Sequence, residues 1–120
     1  MHKVWVADDD SAIRIVLEES LSSAGFSVQT FSSGDDVVNE LKNDLPDLIL
    51  TDVQMPGMLG YDLLKHINDN HENIPVIVMT AFTDMQAAID SYGGGAFEYI
   101  PKPFDLDEAI QIINRALEEK

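Results

Sequence analysis

The chain alternates between short apolar runs and longer stretches in which apolar residues recur every three or four positions. The short runs have the length and the β-branched content of strands, and they cover residues 3–7, 27–31, 48–51, 75–79 and 96–100. The longer stretches predict amphipathic helices, because a helix turns once in about 3.6 residues. These helices are expected over residues 11–24, around 37–41, around 63–67, over 85–92 and from 105 to 117.

This alternation predicts an α/β fold in which helices cover both faces of a parallel sheet. The run 27–31 alternates apolar and polar residues, as a half-buried edge strand does, whereas 3–7, 48–51 and 76–79 are more apolar and belong in the centre. Right-handed crossovers then favour strand order 2-1-3-4-5, a (βα)5 doubly wound, flavodoxin-like sheet formed as one domain over residues 1–120. Ligands of such sheets bind at the carboxyl ends of the strands, beside the switch point between strands 1 and 3.

Composition and charge exclude several classes of function. The 120 residues contain no cysteine, which excludes disulfides, thiolate metal sites and a cysteine nucleophile. The 22 acidic and 7 basic residues give a net charge of −15, so we expect this domain to make no direct contact with nucleic acid. Because no apolar run reaches the length of a membrane helix and the N-terminus does not resemble a signal peptide, we expect a cytoplasmic protein without membrane contact.

Acidic residues follow two strands that the predicted order makes neighbours. Asp8 and Asp9 come directly after the first strand, and Asp52 comes directly after the third. Neighbouring strands lie about 5 Å apart, so the three carboxylates would converge. Two such charges about 4 Å apart repel by about 4 kcal/mol at an effective dielectric constant of about 20. A hard divalent cation relieves this repulsion, and all-oxygen ligands favour Mg²⁺.

Two further side chains follow strands at the same edge of the predicted sheet. Thr80 supplies a hydroxyl after the fourth strand, and Lys102, which stands between two prolines, supplies an ammonium group after the fifth. Taken alone, such residues are more often structural, and Asp10 or Ser11 is expected only to cap the first helix. Their convergence instead favours a site that binds and transfers a phosphoryl group, with the Asp52 carboxylate as nucleophile.

Four motifs in the chain resemble those of receiver domains of two-component response regulators. They are VADDDS at 6–11, LILTDVQMPGM at 48–58, VIVMTA at 76–81 and FEYIPKPF at 97–104. The resemblance covers the whole chain and keeps the order and approximate spacing of the motifs. The segments MTAFTDMQAAI and GAFEYIPKPFDLDEA resemble the corresponding segments of receivers of the nitrogen-regulatory class. Members of that class activate transcription with an alternative sigma factor.

The resemblance implies a role for each residue at the strand ends. Asp52 would accept a phosphoryl group from a phosphohistidine of a sensor histidine kinase, and Lys102 would pair with that group. Asp9, Asp52 and the backbone carbonyl of Gln54 would bind Mg²⁺ directly, while Asp8 would act largely through water. The domain would be a phosphorylation-dependent switch that assists its own phosphorylation and dephosphorylation, and not a metabolic enzyme.

The resemblance also implies residues that read the phosphorylated state and set its lifetime. Thr80 would hydrogen-bond the phosphoryl oxygens, and Tyr99 would follow Thr80 between an inward and an outward position. Gln54 and Phe82 occupy positions that tune dephosphorylation in the family. Downstream ATPase and DNA-binding domains are expected in the full-length protein, together with an oligomer that forms on phosphorylation.

Three features depart from the family pattern. Leu59 replaces a small polar or acidic residue and is expected to contact a partner. Gly93 and Gly94 add to the usual Gly95, and because each glycine costs a helix about 1 kcal/mol, we expect the end of the fourth helix to be short or frayed. The aromatic Phe82 is expected to shield the acyl phosphate.

Three other functions are compatible with the same architecture. A flavin-binding electron carrier would need a Ser/Thr/Gly-rich phosphate loop after the first strand, where this chain has three aspartates. An aspartyl-phosphate phosphatase usually carries a second Asp two residues after the nucleophile, where this chain has Gln54. A degenerate receiver that acts only as a protein-binding module remains the main alternative, although the acidic residues, Thr80 and Lys102 argue against it.

Overall fold

The computed structural model describes residues 1–53, 60–71, 73–92 and 95–119, in which strands and helices alternate. The strands are β1 (Lys3–Ala7), β2 (Ser27–Phe31), β3 (Leu48–Asp52), β4 (Val76–Ala81) and β5 (Glu98–Lys102). The helices are α1 (Ser11–Ser23), α2 (Gly34–Glu40), α3 (Gly60–Asn70), α4 (Met85–Tyr92) and α5 (Leu106–Glu118), and a short 3₁₀ turn at Phe82–Asp84 leads into α4.

The strands form one parallel sheet in the order β2-β1-β3-β4-β5, which confirms the predicted topology. The three apolar strands β1, β3 and β4 occupy the centre, where helices cover both faces. The alternating strand β2 lies at an edge, because only part of its surface is buried. All five carboxyl ends therefore lie along the same edge of the sheet.

Successive residues of each strand pack into two separate apolar cores, because strand side chains point alternately to opposite faces. Trp5, Ile49 and Val78 pack against α2, α3 and α4 on one face, where the Trp5 ring lies 5.0 Å from the Phe31 ring. Leu50 belongs to the other core, together with residues of α1 and α5. Among the described residues, no helix is both long and apolar enough to cross a membrane.

The ends of α1 and α5 follow the sequence signals. The Asp10 carboxylate accepts a hydrogen bond from the Ala12 backbone N–H, so Asp10 caps α1 as expected. Gly25 follows the helix with a φ of 98°, a conformation that residues with a Cβ atom rarely adopt. The Asp105 carboxylate accepts from the backbone N–H groups of Asp107 and Glu108 at the start of α5.

The last strand begins two residues later than the sequence pattern predicts, at Glu98 and not at residue 96. The backbone N–H of Phe97 donates to the Val76 carbonyl, and the ladder with β4 continues through Pro101 to Lys102. Pro101 is tolerated because β5 is an edge strand, which pairs on one side only. The strand also ends two residues later than predicted, so Lys102 is its last residue and lies at the level of the other strand ends.

Two apolar positions on the helices are more exposed than their periodicity suggests. Val16 on α1 retains 47% exposure, and its neighbour Ile15 retains 56%. Ile89 on α4 is 38% exposed, and Ala88, at 4% exposure, is the one buried residue among the side chains described on that helix. The expected fraying after α4 concerns Gly93 and Gly94, which lie outside the described residues, as does Leu59.

Candidate functional site

Three carboxylates converge at the carboxyl edge of the sheet. Asp8 and Asp9 follow β1, Asp52 ends the neighbouring strand β3, and one carboxylate oxygen of each lies within 4.8 Å of the others. The Asp8 side chain is fully buried, that of Asp52 is mostly buried, and Asp9 is exposed. The predicted convergence is therefore confirmed, with a buried carboxylate at the back of the cluster and an exposed one at its mouth.

The Lys102 ammonium group reaches this cluster from β5 across the intervening strand β4. Its Nζ atom lies 2.7 Å from Oδ2 of Asp8 and 3.1 Å from Oδ1 of Asp52. The lysine side chain retains 20% of its exposure, so the ion pairs are largely shielded from water. Lys102 is thus part of the cluster, as the sequence predicts.

Burial and the neighbouring charges shift the pKa values of Asp52 and Lys102. Burial and the charge of Asp8 raise the pKa of the Asp52 carboxyl, although the Lys102 ammonium acts in the opposite direction. Burial lowers the pKa of Lys102, but the hydrogen bond to Asp8 and the charge of Asp52 outweigh it, so this pKa lies above its usual value. The lysine therefore stays charged, while Asp52 is less acidic than an exposed aspartate.

The donor set of the cluster fits a hard divalent cation. Carboxylate oxygens are the ligands that Mg²⁺ and Ca²⁺ prefer, and three carboxylates outnumber the Lys102 ammonium. Both oxygens of Asp8 already have partners, the backbone N–H of Asp10 at 2.9 Å and Lys102 Nζ. Asp9 and Asp52 could hold such a cation directly, and the carbonyl of Gln54, expected as a third ligand, lies outside the described residues.

The two expected switch residues lie on neighbouring strands beside the cluster. Thr80 is 4% exposed and stands near the end of β4, one residue beyond Met79, which is paired with Asp52. Tyr99 on β5 is paired with Val78, so Thr80 and Tyr99 fall on the same face of the sheet. Tyr99 is half-buried against the core on the side of α2, α3 and α4, and this burial raises the pKa of its hydroxyl.

Phe82, one of the two residues expected to tune the phosphoryl lifetime, is the first residue of the 3₁₀ turn after β4. Phe82 therefore directly follows the end of β4, two residues after Thr80. Its side chain is outside the described part of the structure, as is the whole of Gln54. Their expected role stays a prediction.

Two residues at the site are not anticipated by the sequence motifs. Nη1 of Arg14, in the first turns of α1, donates to the backbone carbonyl of Asp8 at 2.7 Å. The buried hydroxyl of Thr51 donates to the backbone carbonyl of Asp52 at 3.1 Å. The sequence carries no local signal for the Arg14 contact, because Arg14 is one of several polar residues in the first turns of α1.

Comparisons with known proteins agree with this geometry. The family model for the response regulator receiver domain matches residues 4–114. The chain is 51% identical over 114 residues to the DNA-binding transcriptional regulator NtrC of Escherichia coli (strain K12), which covers 95% of this chain and 24% of that protein. It is 44% identical over 116 residues to NtrC of Rhizobium meliloti, which covers 97% of this chain and 24% of that protein.

Solved structures give the same result. The apo receiver domain of nitrogen regulatory protein C superposes with a TM-score of 0.88 at 49% identity, covering 98% of this chain and 95% of that one. A putative response regulator from Chloroflexus aurantiacus superposes with a TM-score of 0.91 at 31% identity, covering 98% of each chain.

The chain belongs to the response regulator receiver domain family, which makes it a signalling switch. Within that family it is similar to the receivers of NtrC proteins, which confirms the nitrogen-regulatory character of its motifs. The chain spans about a quarter (24%) of the length of the curated relatives that it matches.

Proposed function

We propose that Asp52 accepts a phosphoryl group from a phosphohistidine of a sensor histidine kinase and that this modification switches the domain between two conformations. The observation that carries the proposal is the position of Asp52, whose Oδ1 atom lies 3.1 Å from Lys102 Nζ and beside the carboxylates of Asp8 and Asp9. A single exposed aspartate would have neither a neighbouring cation nor a place for a divalent metal.

The proposed chemistry is a direct phosphoryl transfer. An oxygen of ionised Asp52 attacks phosphorus, and a P–O bond forms as the P–N bond to the kinase imidazole breaks. The electron pair of that bond stays on the imidazole nitrogen, which then takes up a proton. The Lys102 ammonium, whose Nζ atom lies 3.1 Å from Oδ1 of Asp52, can balance charge on the phosphoryl oxygens.

The proposed cofactor is Mg²⁺, which would supply charge neutralisation for the carboxylates and the phosphoryl oxygens. Asp9, Asp52 and the carbonyl of Gln54 would hold it directly. Asp8 would contribute through water, because both of its carboxylate oxygens are engaged within the protein. The exposure of Asp9 leaves the mouth of the site open to metal and phosphodonor alike.

The proposed switch runs through Thr80 and Tyr99. Thr80 is positioned at the end of the strand next to Asp52, so that its hydroxyl could donate to a phosphoryl oxygen. Tyr99 is half-buried on the same face of the sheet as Thr80, and its ring would follow Thr80 between an outward and an inward position. Phosphorylation would act by favouring the conformation in which Thr80 has turned toward Asp52. Gln54 and Phe82 would set how long that state lasts.

The kinase is proposed to approach over α1. Ile15 and Val16 are exposed there, and Val16 borders an apolar groove of about 490 Å³ that continues along Phe104 and Leu106. The same groove is lined by Lys102, which contacts Asp52, so a partner seated on it would face the acceptor. Exposed apolar surface beside a reactive group is typical of a protein-docking site.

The output of the switch is proposed to be transcriptional. The matched relatives are named as DNA-binding transcriptional regulators, and about three quarters of their length lies outside the matched region. The acidic receiver itself, with a net charge of −15, is poorly suited to contact DNA. ATPase and DNA-binding domains downstream would perform that function, in a cytoplasmic protein whose oligomeric state changes on phosphorylation.

Labelling with acetyl phosphate and Mg²⁺ tests the proposal. Intact-mass measurement should show the addition of one phosphoryl group to the wild-type chain and none to Asp52→Asn. Asp10→Asn is the matched control, since asparagine caps a helix as well as aspartate and Asp10 is not one of the three clustered carboxylates. Full labelling of Asp52→Asn would refute the assignment.

A further inference from the structure

Every polar group of Asp8 has a hydrogen-bond partner. Its backbone N–H donates to the Phe31 carbonyl at 3.1 Å, and its carboxylate accepts from the Asp10 N–H and from Lys102. Its backbone carbonyl accepts from Arg14 Nη1 at 2.7 Å. The first three partners belong to the sheet edge and the turn, whereas the fourth is a side chain of α1 that the proposed chemistry does not use.

Arg14 joins both ends of the turn that carries Asp9. Its backbone N–H donates to the Asp10 carbonyl at 3.1 Å, while its guanidinium group holds the Asp8 carbonyl. Asp9 lies between the two carbonyls that this one residue holds. The Asp8 carbonyl lies in the peptide plane before Asp9, and the Asp10 N–H, which donates to the Asp8 carboxylate, lies in the plane after it, so the two contacts together restrain the direction of the Asp9 side chain.

The Asp9 side chain depends on its backbone for orientation. It is exposed, and within the described part of the chain it makes no hydrogen bond or ion pair. Asp8, by contrast, is fixed by its own carboxylate contacts whether or not Arg14 is present. Loss of the Arg14 contact would therefore act mainly on Asp9.

We propose that Arg14 is a positioning residue for the cation site, which holds Asp9 in the direction needed to bind the metal together with Asp52. This inference rests on the proposed function of the acidic cluster. A purely electrostatic role of Arg14 predicts the opposite change in Mg²⁺ affinity when Arg14 is replaced. A positive charge near a cation site weakens binding, so removing it would strengthen binding. Removing a positioning contact weakens binding instead.

Mg²⁺ titration by calorimetry, at physiological ionic strength, distinguishes the two roles. Arg14→Met keeps the apolar stem and should weaken Mg²⁺ binding roughly tenfold, the lower end of the effect of losing an outer-shell partner. Arg14→Lys retains a donor and should recover part of that loss. Arg115→Met is the control, since it removes the same charge from a residue paired with Glu98 at the other end of β5.

A melting curve in metal-free buffer separates positioning from a merely structural role. A structural role would lower the melting temperature of Arg14→Met but leave the Mg²⁺ affinity of the folded protein unchanged. Acetyl phosphate labelling of Arg14→Met should return to the wild-type rate at saturating Mg²⁺, because Asp52 and Lys102 are untouched. If Arg14→Met does not fold, Arg14→Lys decides between the roles: it keeps the charge but changes the geometry of the donor, so a positioning role predicts weaker Mg²⁺ binding than wild type, whereas a purely electrostatic role predicts wild-type binding.

Unchanged or tighter binding by folded Arg14→Met, or, where that variant does not fold, wild-type binding by Arg14→Lys, would overturn the inference while leaving the proposed function intact. A wild-type chain that neither binds Mg²⁺ nor accepts a phosphoryl group would overturn the proposed function, and the inference with it.

Discussion

The Nζ atom of Lys102 lies 2.7 Å from Oδ2 of Asp8, although 94 positions separate the two residues in the chain. Asp8 is fully buried and Lys102 is 20% exposed on its side chain, so the buried Asp8 charge depends on Lys102 for compensation. The pair also ties the edge strand β5 to the centre of the sheet. Its loss should therefore affect both stability and the acceptor site.

Lys102→Met should destabilise the metal-free protein by about 3 kcal/mol, because it leaves the Asp8 carboxylate buried without its cation. Urea unfolding at neutral pH measures the change. Lys65→Met is a matched control, because Lys65 forms an exposed ion pair with Asp69 that contributes about 0.5 kcal/mol or less. Equal effects of the two substitutions would show that the buried Asp8 charge does not depend on Lys102.

Asp52→Asn should raise the melting temperature of the metal-free protein at neutral pH. Burial and the Asp8 charge raise the pKa of Asp52 above 3.8, so the folded chain binds a proton more readily than the unfolded chain does. The contribution of Asp52 to the free energy of unfolding therefore falls as pH rises from 3.8 through the folded-state pKa. Asparagine does not titrate, so the free energy of unfolding of Asp52→Asn lacks this pH-dependent contribution.

Melting curves across the acidic range test this sign. The advantage of Asp52→Asn over wild type should be largest at neutral pH and should shrink as the pH falls through the folded-state pKa to values below 3.8, where Asp52 becomes protonated in both states. An advantage that instead grows on acidification would mean that the ionised Asp52 is stabilised in the folded chain, mainly by Lys102.

The sequence was sufficient to predict the sheet and the place of the site. The contrast between the alternating run 27–31 and the continuous apolar runs decides which strands are central, because only central strands of a parallel sheet are buried on both faces. Once the order is known, Asp8 and Asp52 must meet, since they end neighbouring strands at the same edge. Periodicity and topology therefore carry most of the inference.

Other features depend on side-chain directions that periodicity does not determine. Arg14 reads as an ordinary polar helix residue, and only the placement of α1 against the end of β1 brings its guanidinium to the Asp8 carbonyl. Val16 and Ile89 continue their apolar stripes but remain exposed, because each helix contacts the sheet over a narrower strip than its stripe covers. The late start of β5 depends on its register with β4, which the local pattern of apolar residues does not indicate.

Mg²⁺ should raise the melting temperature of the wild-type chain, because it binds the folded acidic cluster and relieves repulsion there. At about 100 times the dissociation constant, the gain in the free energy of unfolding is about 2.7 kcal/mol. Asp9→Asn should lose most of this gain while keeping the metal-free stability near that of wild type, since Asp9 is exposed. Asp10→Asn should keep the gain, and a gain retained in full by Asp9→Asn would exclude Asp9 as a ligand.

Val16→Gln should slow phosphoryl transfer from a phosphorylated sensor kinase by about tenfold, because a docking contact of about 1.4 kcal/mol would be lost. The rate of labelling by acetyl phosphate, which needs no docking surface, should not change. Val16 is 47% exposed and glutamine suits a helix, so the fold should tolerate the substitution.

Leu45→Gln is the matched control for this prediction. Leu45 is 54% exposed and precedes β3, so it lies at the amino edge of the sheet, away from Asp52. This control should transfer at the wild-type rate from both donors. If Val16→Gln slowed both donors equally, the effect would lie in the acceptor site itself, and the kinase would have to approach Asp52 over a surface other than α1.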